Sequence, residues 1–176
     1  MQTGVTKKGS GKGAAGKSPS ESAVEMTEIV LPVYSNSLGT IFGGQIMAWI
    51  DIAAAVAAAK HSRTVVVTAS IDALNFVAPV KVGHVVHIYA TVNYVGRTSM
   101  EVGVRVDSED LILGERKHTA TAYTTFVALD AKGEPTPVPL LLPKTPDEKR
   151  RFAEAQQRRE SRMKLSKEIK RSRERT

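Results

Sequence analysis

Asp51 is the residue of this chain whose surroundings point most directly to chemistry. From 43 to 59 the sequence reads GGQIMAWIDIAAAVAAA, and Asp51 is the one ionisable residue in that stretch. An unpaired carboxylate among apolar groups is costly, so it shifts its pKa or finds a partner. Such a carboxylate can serve as a general base or as a nucleophile. Asp51 is therefore the first candidate for catalysis; the alternative is a buried aspartate bonded only to the backbone or to a threonine.

A glycine pair, Gly43 and Gly44, precedes Asp51 by seven or eight residues, which is about two helical turns. Glycine lets a ligand approach the backbone closely. The unpaired N–H groups and the dipole at a helix N-terminus stabilise negative charge that develops on a carbonyl oxygen. From the residues alone, the pair is either an oxyanion site or only a tight turn from a loop into a helix.

The elements that must position these residues follow from the hydrophobic periodicity. It predicts a helix from 43 to about 60 and strands over 24–34, 65–79, 84–96, 100–108 and 116–130. Short connections between the later strands indicate antiparallel pairing, which gives an α+β architecture with one helix against one sheet. Because the helix is apolar on nearly every face, we expect the sheet to wrap it and a second subunit to help bury it.

Charge divides the chain into three segments. The net charge is +3 over 1–22, −3 over 23–143 and +7 over 144–176. We predict a disordered basic tail, one folded domain and a charged C-terminal helix that frays into a tail, in that order. The excess positive charge lies in the tails, and the aromatic–basic interleaving of single-strand binders is absent. Nucleic acid is therefore not an expected partner.

The residue inventory excludes several kinds of site. There is no cysteine, so disulfides, thiolate nucleophiles and cysteine metal ligands are excluded. The four histidines are dispersed, and we predict no metal site. No G-x-S-x-G elbow, P-loop or dinucleotide fingerprint is present. No uncharged apolar run is long enough to span a membrane, and the N-terminus lacks the apolar segment of a secretion signal. We expect a soluble, cytoplasmic protein.

The segment NSLGTIFGGQIMAWID (36–51) resembles the signature of hotdog-fold acyl-CoA thioesterases, and 67–86 and 96–106 resemble further parts of that family. The resemblance covers about 25 to 160. It implies a hotdog fold, in which a curved antiparallel sheet wraps a long central helix, and hydrolysis of acyl-CoA to free acid and CoA. It also implies a homodimer with two sites at its interface, often assembled into a hexamer as a trimer of dimers. No cofactor is implied, because CoA is part of the substrate.

The resemblance assigns catalytic roles to individual residues. Gly43 and Gly44 would form the oxyanion site, and Asp51 would act as base or nucleophile on the thioester held by the other subunit. Asn36 matches a loop asparagine of the family, and it either orients the loop by side-chain-to-backbone bonds or reaches the site. Thr40 is a departure from the family, since relatives often carry Asn or Asp there.

The positions that contact CoA in the family lie on two neighbouring strands and on the C-terminal helix. In this chain they are Ala69, Ser70, Ile71, Arg97, Thr98, Ser99 and Met100, together with Arg159. An arginine with hydroxyl groups suits phosphate, although a polar hairpin tip has the same composition. Arg158 and Arg162 could also reach a phosphate, or the helix could simply be solvated. Trp49, Phe76 and Met47 would set the floor of the acyl pocket.

Two other functions stay open. Some hotdog domains are non-catalytic acyl-CoA sensors that regulate transcription, but those carry a helix-turn-helix before the hotdog domain. The 22 leading residues here are too few and too polar for one. An acyl-carrier-protein thioesterase is the third possibility, and the CoA-like motifs disfavour it. The sequence does not predict the acyl chain length.

Overall fold

The computed structural model describes residues 16–72 and 74–174, so most of the predicted N-terminal tail, residues 1–15, lies outside the described residues. Within these ranges the chain forms six strands and two α-helices. They are β1 (Val24–Ile29), α1 (Gly43–Ser62), β2 (Val65–Ile71), β3 (Asn75–Phe76), β4 (Val85–Val95), β5 (Ser99–Asp110), β6 (Glu115–Leu129) and α2 (Pro146–Arg173).

The strands form one antiparallel sheet in the order β1-β4-β5-β6-β2, and the short β3 also pairs with β6. α1 packs on the inner face of the sheet in contact with β1, β2, β4, β5 and β6, so the sheet curves around the helix. Alternate side chains of the long strands form the core between them, including Ile88, Ala90, Val92, Val102, Val104, Val106, Ala120 and Ala122. The α+β hotdog architecture that the resemblance implies is confirmed.

Two predicted strands are shorter in the structure. The strand predicted over 65–79 is divided into β2, which pairs with β6 as far as Ile71, and β3, which pairs with β6 from Asn75. A bulge between Thr68 and Ser70 lies within β2. The first strand ends at Ile29, since Pro32 begins a 3-10 turn over Pro32–Tyr34 and proline has no N–H for the ladder.

Residues 16–22 pack on the domain, so the predicted disordered tail does not extend to residue 22. Lys17 exchanges backbone hydrogen bonds with Leu140 and Leu142, and Ser18, Pro19 and Ser22 are buried. The Lys17 ammonium donates to the carbonyl oxygens of Lys60 at 3.2 Å and His61 at 2.6 Å. The end of a helix leaves carbonyl groups unpaired, which gives this lysine its acceptors.

His61 is fully buried at the end of α1. Its Nε2–H donates to the carbonyl oxygen of Pro139 at 3.0 Å, and its Nδ1 has no partner among the described residues. Burial, with a smaller contribution from the Lys17 charge, lowers the pKa of His61 below its ordinary value. A proton on Nδ1 would have no acceptor, which favours the neutral ring.

We expect His61 to make the protein less stable in mild acid. The unfolded chain binds a proton at this residue near pH 6.5, whereas the folded chain resists it. The free energy of unfolding should therefore fall as the pH drops below about 6.5 and level off above about 7. Denaturant unfolding of the wild type and His61→Gln between pH 5 and 7.5 measures this. Equal pH slopes for the two proteins would contradict the assignment.

α2 crosses the outer face of the sheet, opposite α1. A capping box starts it, in which Thr145 Oγ1 accepts from the Glu148 N–H at 3.2 Å and Glu148 Oε2 accepts from the Thr145 N–H at 2.9 Å. Ala155 of this helix is buried, and the ring of Phe152, also on the helix, lies 5.1 Å from the Tyr94 ring of β4. The helix continues through Arg173. In the part of the chain that the structure describes, no helix is long and apolar enough to cross a membrane.

Candidate active site

Asn36 and Thr40 lie together in the loop that leads into α1. Asn36 Oδ1 accepts from the N–H groups of Leu38 at 2.9 Å and Thr40 at 3.3 Å. Its Nδ2 donates to Thr40 Oγ1 at 2.9 Å and to the Ile41 carbonyl at 3.4 Å. The Asn36 amide therefore fixes the loop conformation, and the Thr40 hydroxyl is one of its partners.

The N-terminus of α1 is open to a ligand. Its N-cap residue is Phe42, which provides no side-chain cap. The N–H groups of Gly43 and Gly44 have no acceptor within residues 16–72 and 74–174. A Cβ atom at Gly44 would overlap the ring of Phe42, so that exposed side chain would have to move. This helix end presents unpaired donors and the positive end of the helix dipole.

A cavity of about 370 Å³ adjoins this helix end. It lies between the loop, the first turn of α1 and the segment after β3, and its lining includes Thr40, Gly43, Ile46, Phe76 and Val80. Its volume falls within the usual range for small-molecule sites. Of the three residues predicted for an acyl pocket floor, only Phe76 lines this cavity.

The other two predicted floor residues lie elsewhere. Trp49 is buried in the core, edge-on to the Tyr34 ring with the ring centroids 5.5 Å apart. Met47 points out of the protomer, with 42% of its surface exposed. The helical repeat explains this, because positions 47 and 49 lie on nearly opposite sides of α1, so Trp49 faces the core and Met47 faces outward.

Asp51 is half-buried, and a threonine binds it, as in the alternative given above, although the sequence did not indicate which threonine. Thr68 Oγ1, on β2, donates a hydrogen bond to Asp51 Oδ1 at 2.7 Å. Thr68 lies at the β-bulge, where a single polar β-branched residue interrupts an apolar run. A polar residue within an apolar strand is the sequence feature that could have singled out Thr68. The hydroxyl holds one carboxylate oxygen and leaves Oδ2 free to accept a proton or contact a substrate.

Asp51 and Thr68 lie on an apolar surface that the protomer leaves uncovered. α1 exposes Met47, Ile52 and Val56, and β2 exposes Val65, Val67 and Ile71. β2 is an edge strand of the described sheet, so its outer N–H and C=O groups are free to pair with another strand. An exposed apolar surface of this kind is typical of a site that binds a partner or a ligand.

Within one protomer, Asp51 is too far from the glycine pair to share a substrate atom with it. Seven or eight residues of α-helix separate them along the axis by about 11 Å. The glycine N–H groups and the carboxylate can therefore contact the same substrate atom only if a second chain supplies one of them.

The structure gathers part of the predicted CoA-binding set around a second cavity, of about 140 Å³, between α2 and the outer face of the sheet. Ser70, Ser99, Met100 and Arg159 line it, as does Thr125. The Thr125 hydroxyl is buried and has no partner among the described residues. A buried hydroxyl without a partner is rare, so this one is available to a polar ligand.

The remaining predicted CoA-binding residues do not line this cavity. Ala69 and Ile71 flank Ser70 on β2 and are exposed. Arg97 and Thr98 lie at the β4–β5 turn, where their carbonyl groups accept from Val138 and Ala128. Although Met100 lines the cavity, it is otherwise buried in the core with 0% of its surface exposed.

Arg158 and Arg162 are bound to carboxylates. Arg158 forms two-pronged contacts with Glu101, the shortest 2.7 Å, and its guanidinium lies 3.6 Å from the centroid of the Tyr123 ring. Arg162 lies 3.3 Å from Glu101 and also pairs with Asp72. Arg159 has no acidic partner among the described residues. Of the three arginines, it is the one left free for a phosphate.

The sequence and the fold both match known proteins. The family model described as Thioesterase superfamily matches residues 38–115. An uncharacterized acyl-CoA thioester hydrolase of Bacillus subtilis, YkhA, is 44% identical over 128 residues, which are 73% of this chain and 74% of that protein.

Solved structures agree with the sequence matches. A hexameric acyl-CoA thioesterase superposes with a TM-score of 0.84 at 44% identity, covering 86% of this chain and 97% of that one. An acyl-CoA hydrolase from Staphylococcus aureus, in complex with butyryl coenzyme A and coenzyme A, gives 0.83 at 40% identity over 90% of this chain and 96% of that one. Three alanine variants of the S. aureus protein, at an asparagine, an aspartate and a threonine, also have structures.

Proposed function

The chain belongs to the thioesterase superfamily, and we propose that it hydrolyses the thioester of an acyl-CoA to a free carboxylic acid and CoA. The observation that carries the proposal is the spacing of Asn36, Asp51 and Thr68. In the S. aureus hydrolase, fifteen residues separate the altered asparagine from the aspartate, and seventeen separate the aspartate from the threonine. The same two intervals separate Asn36, Asp51 and Thr68 here.

In the proposed reaction, the N–H groups of Gly43 and Gly44 bind the thioester carbonyl oxygen and stabilise the negative charge it gains as water adds. Asp51 accepts the proton of that water. The carbon–sulfur bond then breaks, and the CoA thiolate leaves and takes up a proton. Direct attack by Asp51, giving a mixed anhydride that water hydrolyses, would use the same groups. Neither route needs a separate cofactor.

We assign supporting roles to three other polar residues, Thr68, Asn36 and Thr40. The Thr68 hydroxyl, 2.7 Å from Asp51 Oδ1, holds the carboxylate so that Oδ2 faces the water. Asn36 and Thr40 keep the loop before α1 in the conformation that exposes the glycine N–H groups. Thr40 therefore does not replace the Asn or Asp that relatives often carry, because its hydroxyl is bonded within the loop.

A homodimer completes this site. The axial separation of about 11 Å places Asp51 with the oxyanion donors of the other subunit. The exposed apolar side chains of α1 and β2 and the free edge of β2 support this interface. The similar hexameric thioesterase suggests that the dimers assemble further, as a trimer of dimers.

We propose that CoA lies along the cavity between α2 and the sheet. Ser70, Ser99 and Thr125 supply hydroxyl groups, and Arg159 supplies a guanidinium for a phosphate of the nucleotide. Ala69 and Ile71 on β2, and Arg97, Thr98 and Met100 around the β4–β5 turn, border the same path. The thioester end of the substrate would extend toward the neighbouring glycine pair.

Replacing Arg159 tests both the reaction and the CoA site. Purified full-length protein should release free thiol from acyl-CoA and from the matching acyl-pantetheine, which lacks the nucleotide phosphates. Arg159→Gln should raise KM for acyl-CoA by about tenfold, the scale of one charge-assisted hydrogen bond. Its kcat, and both constants for acyl-pantetheine, should stay unchanged. The rates are measured with a dye that reacts with the released thiol.

Arg150→Gln is the matched control, since Arg150 lies on α2 and its acidic partners among the described residues are Asp147 and Glu154. Its kinetic constants should equal those of the wild type. A protein that releases no thiol would refute the hydrolase proposal. An equal change for both substrates in Arg159→Gln would refute only the phosphate contact.

A further inference from the structure

A third cavity, of about 170 Å³, lies on the outer face of the sheet beside the first turns of α2. Its lining includes Thr91, Asn93, Gly103, Arg105, Tyr123 and Arg151. It shares no lining residue with the cavity at the N-terminus of α1 or with the proposed CoA cavity. The proposed hydrolysis therefore does not use this cavity.

Asn93 is the polar group at the base of this cavity. It is 4% exposed, and its side-chain amide has no hydrogen-bond partner among the residues the structure describes. A β-bulge between Val92 and Tyr94 places it there, and the absence of a side chain at Gly103 makes room for it. A Cβ atom at Gly103 would overlap the Asn93 amide. The amide faces the cavity, so a ligand bound there can accept a hydrogen bond from it.

Two guanidinium groups border the same cavity, and no carboxylate lines it. Arg105 donates through Nε to both oxygens of Asp107, at 2.9 and 3.1 Å, and its terminal nitrogens have no partner in the part of the chain that the structure describes. Arg151 gives one terminal nitrogen to Asp147 at 2.7 Å and keeps its other donors. The Thr91 hydroxyl adds a further donor. The lining is thus rich in hydrogen-bond donors and positively charged.

From this donor set we propose that the outer cavity binds a phosphoryl group. The volume of about 170 Å³ is below the range of sites that enclose a drug-sized ligand. It suits one tetrahedral oxyanion, whose oxygens can accept from Asn93 Nδ2 and from both arginines. The phosphoryl group could be free phosphate or the exposed end of a nucleotide.

Titration calorimetry with inorganic phosphate, on the full-length protein at constant ionic strength, tests this site. We expect saturable binding that weakens at least about tenfold in Arg105→Gln/Arg151→Gln, since two charge-assisted bonds are lost. Gly103→Ala should weaken it as well, because the new methyl group displaces the Asn93 amide into the cavity. Arg150→Gln, one residue away and outside the cavity, should bind like the wild type.

Two further arms identify the source of the phosphoryl group and separate this site from the substrate site. Adenosine monophosphate binding more tightly than phosphate would indicate a nucleotide end, and equal or weaker binding would indicate free phosphate. Arg159→Gln should leave phosphate binding unchanged. The proposal is overturned if phosphate does not bind, if binding survives both cavity variants, or if Arg159→Gln abolishes it.

Discussion

Replacing Asp51 with alanine is expected to lower kcat for acyl-CoA hydrolysis by at least about a hundredfold, the scale for loss of a general base. KM should change little, because the proposed CoA contacts lie on α2 and the outer face of the sheet. The side chain has one described hydrogen bond, to Thr68, so the fold should tolerate its loss. Thiol release at saturating acyl-CoA gives kcat, and thermal unfolding shows whether the variant is folded.

Asp51→Asn separates proton transfer from shape. The amide keeps the size of the side chain and can still accept from Thr68, but it cannot take a proton from water. We expect it to be as inactive as Asp51→Ala. Glu25→Gln makes the same acid-to-amide change on the exposed edge strand β1 and should leave kcat unchanged. An Asp51→Asn variant with wild-type kcat would refute the catalytic role.

Local patterns explain why α1 and its glycine pair could be predicted. The apolar run that starts at Gly43 is too long for a strand and therefore predicts a helix from 43 to about 60. The observed helix is Gly43–Ser62. The same run contains Asp51, so the sequence also places the candidate carboxylate on the helix. These features depend on residues within a few turns of one another.

Thr68 and Glu101 could not be placed in the same way, because their partners are distant in the chain. Thr68 meets Asp51 across 17 residues and through a bulge. The alternation of Met100, Val102, Val104 and Val106 with polar residues predicts a strand with one buried face, so Glu101 should be exposed. It is 2% exposed, because α2 covers the outer face of the sheet. Only the docked helix supplies its partners, 57 and 61 residues away.

The Glu101 contacts lead to the second large expected effect. Glu101→Ala should lower the free energy of unfolding by about 3 to 5 kcal/mol, the range for removing one partner of a buried ion pair. Arg158 and Arg162 would then lose the carboxylate that holds them under α2. Denaturant unfolding at one fixed protein concentration measures the change, since association with a second copy also contributes to stability.

A double variant tests whether the effect comes from the unpaired arginine. Removing Arg158 as well should recover part of the stability, because Arg162 keeps Asp72 as a partner and no uncompensated charge then stays beneath the helix. Glu154→Ala is the matched control on α2: its exposed pair with Arg150 should be worth at most about 0.5 kcal/mol. Since α2 also carries Arg159, the Glu101→Ala variant should show a raised KM for acyl-CoA at temperatures where it is still folded. Equal stability losses for Glu101→Ala and Glu154→Ala would mean that the ion pairs do not hold α2 on the sheet.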